Sequence, residues 1–79
     1  MFGKKKRPFK ELQKLILRTL RTKKLTKRQI ADKIKADWRT IDHQIILLKG
    51  QDYVSLLFQH HRMKVYEITK DGLRYLKKL

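Results

Sequence analysis

A chain of 79 residues without cysteine is one domain at most, with no disulfide or thiolate metal site to brace it. At this size only about 60% of the unfolded surface is buried, so the core is marginal and dimerisation is the staple most open to it. Twenty-two Lys and Arg against seven Asp and Glu give a net charge of +15, which favours a polyanionic partner. No apolar run approaches the ~18 residues of a helical membrane span, and the basic N-terminus lacks the apolar stretch of a secretory signal. A cytoplasmic protein is expected.

The charge is uneven: residues 1–28 hold 12 basic groups and one acid, and residues 29–79 hold 10 and 6. Residues 1–8 read as a flexible basic arm, because Gly3, Lys4, Lys5, Lys6, Arg7 and Pro8 cannot build a core. Such an arm can follow a DNA backbone or enter a minor groove, or it can simply keep the protein in solution. The spacing then predicts an amphipathic helix over 9–22. Phe9, Leu12, Leu15, Ile16 and Leu20 share one face, and Lys10, Lys14, Arg18 and Arg21 share the opposite one. Leu17 falls outside the apolar stripe, which makes it a candidate for a dimer contact.

A short second helix is predicted over 26–35. Thr26 with Gln29 three residues later has the capping-box pattern, and Ile30, Ala31 and Ile34 form the inner face. Leu25 can act as a staple or as a very short strand. A third helix begins at Asp37, a favoured N-cap, and ends near Lys49 or Gly50. Ile41, Ile45 and Leu48 point inward at spacings of four and three. Arg39, His43 and Ile46 then point outward, with Thr40 and Gln44 on a shoulder, Asp42 on the flank and Trp38 near the core edge.

Beyond it the period changes from helical to two. "YVSLLF" (53–58) and "MKVYEI" (63–68) read as a hairpin, with Val54, Leu56 and Phe58 on one side and "QHHR" (59–62) as the turn. "TKDGLRYLKKL" opens a last helix with Thr69 as cap and Leu73, Leu76 and Leu79 as apolar positions. Gly72 opposes helix propensity there, so backbone crowding is expected to require it.

Two short helices joined by a tight turn make a helix-turn-helix, and a hairpin directly after it is a wing. Residues 25–41, "LTKRQIADKIKADWRTI", resemble the L-T-x-x-x-I-A-x-x-[LI]-x-x-[SD]-x-x-T-[VI] pattern of winged helix-turn-helix transcription regulators. "YEITKDG" (66–72) is similar to the segment that closes the wing in MarR-, ArsR- and PadR-like members. In size, Lys/Ile bias and basic arm the chain also looks like small winged-helix proteins of archaea and archaeal viruses. The resemblance covers residues 9–79. It implies an α+β fold: three N-terminal helices, a β-hairpin wing and a C-terminal helix. Where the family often has a Gly before the first wing strand, this chain has Asp52, a residue that tolerates left-handed backbone better than most.

The resemblance implies double-stranded DNA as partner and a sequence-specific regulator, expected to be a homodimer. Arg39 sits in the first turn of the third helix, where base edges are met, and can bond guanine bidentately. Trp38, Thr40, His43 and Gln44 complete the expected reading surface. Lys27 and Arg28 are placed to contact phosphates, Arg62 and Lys64 to contact backbone or minor groove from the wing, and Lys4 to Arg7 to act from the arm. His43 reads equally as a solvated histidine. Ile46 reads as a thymine-methyl contact or as packing. Leu17, Tyr75 and Leu79 are the dimer candidates. His60 and His61 lack the cysteines and nearby acids of a metal site, so a polar turn is favoured. No nucleophile–base pair or Gly-rich phosphate loop is present, so no enzyme, cofactor or small-molecule effector is expected. The rival readings are RNA or protein binding, sequence-independent architectural DNA binding, and a membrane-surface module built on helix 9–22.

Overall fold

The computed structural model describes residues 9–79. Lys4, Lys5, Lys6 and Arg7 of the expected arm lie outside them. Helix α1 spans Phe9–Thr22, strand β1 Leu25–Thr26, helix α2 Lys27–Ile34 and helix α3 Trp38–Gly50. Strands β2 (Val54–His60) and β3 (Met63–Ile68) form the hairpin, and helix α4 (Lys70–Lys78) closes the chain. The three strands make one antiparallel sheet in the order β1-β3-β2. Ile16, Leu17, Ile30, Ile41, Ile45, Leu48 and Val54 are its most deeply buried companions.

In α1 the buried stripe runs along Leu12, Gln13, Ile16, Leu17 and Leu20, rotated from the predicted face toward the 13–17 row. The helix must serve α2, α4 and β3 at once, which widens its inner face. Leu17 is therefore fully buried and is not a dimer contact, while Phe9, expected inside, is exposed. Gln13 is tolerated in the interior because its Oε1 accepts from the Tyr75 hydroxyl at 2.9 Å. The Tyr75 ring also stacks on Tyr53 at 4.3 Å, and Leu79 packs half-buried beside the core. Both residues are thus engaged within the chain.

The start of α2 follows the sequence closely. Thr26 Oγ1 accepts from the Gln29 amide, and Gln29 Oε1 accepts from the Thr26 amide, completing the capping box. Thr26 and Leu25 also pair with Val65 and Tyr66, so the very short strand forms and draws the N-terminus of α2 against the hairpin. Asp37 occupies the N-cap of α3 but makes no side-chain cap bond, so only its charge favours the helix end. Asp52 does take the left-handed conformation, with φ 64. Its carbonyl accepts from the Thr69 hydroxyl.

The hairpin is longer than expected, with only His61 and Arg62 in the turn and His61 at φ 55. Leu56 lies opposite Tyr66, but Phe58 lies opposite Val65, so the register slips by one residue at Leu57. This bulge breaks the simple alternation. Val54 and Leu56 stay on the core side, whereas Phe58 changes face and becomes exposed along with Leu57.

Candidate nucleic-acid interface

Helix α3 buries Ile41, Gln44, Ile45 and Leu48 and leaves Arg39, Thr40, His43 and Ile46 exposed. Gln44 is only 3% exposed, so it cannot be a base contact. It lies three residues after Ile41 and four before Leu48, inside the wide apolar stripe of a core-facing helix. That spacing was available in the sequence. Trp38, expected near the core edge, is 62% exposed, and the Arg39 guanidinium lies 5.9 Å from its ring centre.

The buried Gln44 Oε1 has no hydrogen-bond partner. Leaving a buried acceptor unpaired costs about 1–3 kcal/mol. Gln44→Met, similar in shape and without the carbonyl, is expected to raise stability by about 1 kcal/mol, read as a higher denaturation midpoint. A lower midpoint would show that the amide is satisfied in solution.

The acid on the flank of this face has a partner. Asp42 forms an ion pair with Lys27 across the α2–α3 junction, and Lys27 Nζ also lies 5.9 Å from the Tyr66 ring centre. The hydrogen bond to Asp42 raises the Lys27 ammonium above its ordinary lysine value. Because the folded value is the higher one, the stabilisation carried by the Lys27 charge is complete at neutral pH and is lost as pH rises through the lysine range. Both side chains are about a third exposed. A Lys27→Met, Asp42→Asn double-mutant cycle is therefore expected to give a coupling of only about 0.5 kcal/mol, smaller at high salt. A coupling near zero at low salt would remove the pair from the account. No sequence signal marks it, since the partners are 15 residues apart.

Pairing of Thr26 with Val65 brings the wing tip beside the start of α2. Lys27, Arg28, Gln29, Arg62, Met63 and Lys64 line one open cleft there. A second depression runs from Lys27 and Arg28 to Asp37 and Trp38. Lys27 and Arg28 border both, so a continuous surface leads from the first turn of α3 to the wing, basic along the wing cleft and with Asp32 and Asp37 on the α3 side. Four of the basic residues predicted from the sequence converge on it. On the wing, the His60 and His61 rings meet edge to face at 4.1 Å. Among the described residues no group of three or more His, Asp and Glu is placed to hold a metal ion, and no helix is long and apolar enough to cross a membrane.

No protein-family model matches the chain, and no curated protein does. Solved structures do match. ZitR of Lactococcus lactis superimposes with a TM-score of 0.78 at 21% identity, covering 99% of this chain and 56% of ZitR. A PadR-like transcription factor of Bacteroides fragilis gives 0.80 at 20% identity, covering 89% of this chain and 77% of that one. The Zalpha domain of Carassius auratus PKZ, solved in complex with Z-DNA, gives 0.69 at 19% identity over 77% of this chain and 97% of that domain. The chain thus spans about half the length of ZitR. With its helix–helix–helix–hairpin–helix order and these superpositions, the chain has the winged helix-turn-helix fold.

Proposed function

We propose that this chain is a sequence-specific binder of double-stranded DNA that regulates transcription. The observation that carries the reading is the continuity of the exposed α3 face with the basic cleft. Arg39, Thr40 and His43 enter the major groove, Trp38 flanks them, and Lys27, Arg28, Arg62 and Lys64 meet the backbone or an adjacent minor groove. The solved neighbours named as transcription factors and the Z-DNA-bound domain support a nucleic-acid role for this surface. Nothing in the interface calls for a cofactor.

Selection of binding sites from random duplex tests the reading. A short enriched motif is expected. For a two-fold dimer it would be an inverted repeat with half-sites about one helical turn apart; a single half-site would mean a monomer. No enrichment would overturn sequence-specific reading, and stronger binding to RNA would overturn the choice of DNA. With Leu17 in the core, any dimer must use other side chains.

Asp42 gives a second check. Asp42→Asn removes an acid from the flank of the reading face and frees Lys27 for phosphate. Duplex affinity is expected to rise by a few-fold at low salt, about 1 kcal/mol or less. A loss of affinity would mean that Asp42 itself accepts a bond from DNA.

A further inference from the structure

The outward face of α1 is as basic as the reading surface and is not part of it. Lys10, Lys14, Arg18 and Arg21 follow one another along the helix at intervals of four, four and three. At ~1.5 Å rise per residue they extend over roughly 16 Å, with about 6 Å between successive cations. The end of α4 adds Lys77 and Lys78. Lys77 closes a depression with Lys14, Arg18 and Arg21, and Lys78 closes its neighbour with Lys10, Lys14 and Arg18. Leucines 15, 73, 76 and 79 line these depressions, and Glu11 is the one acid beside six cations.

This arrangement has a cost inside the chain. Like charges at helical spacings of three and four repel and destabilise the helix. Among the described residues the two ion pairs are Lys27–Asp42 and Arg74–Asp71, and neither uses these six cations. The groove is also separate from the α3–wing surface: α1 packs on α2, α4 and β3, α3 packs on α2 and β2, and the two basic surfaces share no lining residue.

We infer that the α1–α4 groove is a second, sequence-independent site for the phosphate backbone of duplex DNA, so that one chain holds two duplex segments at once. The regular line of cations suits a regular polyanion. A second copy of the chain would set six cations against six. A bilayer-seeking helix needs a continuous apolar face to insert, whereas of the four leucines here Leu73 alone is exposed, Leu76 is 7% exposed and Leu15 and Leu79 are half-buried between the cations. The inference rests on the proposed reading of duplex DNA by α3.

The test uses the full chain, an immobilised duplex carrying the selected sequence and a free fluorescent duplex of random sequence. The variant is Lys14→Gln, Arg18→Gln and Arg21→Gln together. Wild type is expected to capture the free duplex. The variant should lose this capture by about tenfold or more and flatten its salt dependence by about three. Its binding to the immobilised duplex and its melting temperature should stay within about twofold and a few degrees of wild type, since none of the three side chains is in the core. Unchanged capture would overturn the inference. So would a proportional loss on both duplexes, which would make the groove part of a single contact. Sedimentation with phosphatidylserine–phosphatidylcholine vesicles and no captured duplex would overturn it in favour of a membrane surface. Arg39→Ala separates the two sites: it should weaken the immobilised complex and leave the random duplex captured per bound chain unchanged. If α3 does not read DNA, Arg39→Ala leaves the immobilised complex unchanged; if only the groove fails, Arg39→Ala still weakens that complex while the glutamine variant captures random duplex as wild type does.

Discussion

Replacing Gly72 with alanine is expected to destabilise the domain by about 3 kcal/mol or more, near the upper end of overpacking changes. Helix propensity alone predicts the opposite, a gain of about 1 kcal/mol. Packing decides the sign. A Cβ on Gly72 would sit 2.1 Å from the Tyr53 carbonyl oxygen and 2.7 Å from Ile68 Cγ1. That carbonyl cannot easily yield, because it accepts from the Thr69 amide at 3.0 Å while the Tyr53 amide donates to Leu48 at 2.9 Å. Helix α4 would have to move instead, loosening the Thr69 cap on Gly72 and the Tyr53–Tyr75 stack. For a domain whose total stability is about 4–12 kcal/mol at ~0.05–0.15 per residue, the melting temperature should fall by roughly 10–25 °C. Gly50→Ala is the control. A Cβ there meets nothing within 4 Å, so thermal melting followed by circular dichroism should show no loss and a gain of up to about 1 kcal/mol.

Arg39→Ala should act on function and leave folding alone. The side chain is exposed in the first turn of α3, with the Trp38 ring beside it. If it bonds guanine bidentately, its removal costs about 1–3 kcal/mol, roughly 5- to 150-fold, on the selected duplex. Random duplex should weaken much less, by the loss of one phosphate-attracting charge. Preference should relax at one base pair, read by repeating the selection with the variant. Arg39→Lys should not restore that preference, because an ammonium lacks the planar fork. Equal losses on selected and random duplex would reduce Arg39 to a backbone contact.

What was legible in the sequence was local. The Thr26–Gln29 box, the left-handed Asp52 and the Thr69 cap each depend on a few consecutive residues and their backbone geometry, whereas Gly72 is legible as a conflict with helix propensity and its crowding comes from Tyr53, distant in sequence. Periodicity placed Ile41, Ile45 and Leu48 inward, but taken as a narrow stripe it missed Gln44 between them. It also missed Leu17, because the inner face of α1 is set by three neighbouring elements. The bulge at Leu57 was illegible for a different reason. A one-residue slip follows from how β2 pairs with β3, and both registers fit an apolar run such as Leu56–Phe58. The basic residues of the interface were each named from the sequence. Their convergence was not, since it depends on β1 joining the sheet beside β3 and on Lys27 reaching Asp42.

The reading surface can be mapped residue by residue. Amide chemical shifts of the full chain, followed by NMR while the selected duplex is added, report where DNA lies. The account predicts that at the first equivalent the largest shifts fall on Trp38 to His43 and on Arg28, Arg62 and Lys64, with the α1–α4 groove responding only when further duplex is added. Largest first-equivalent shifts on α1 and α4, with α3 unmoved, would contradict it.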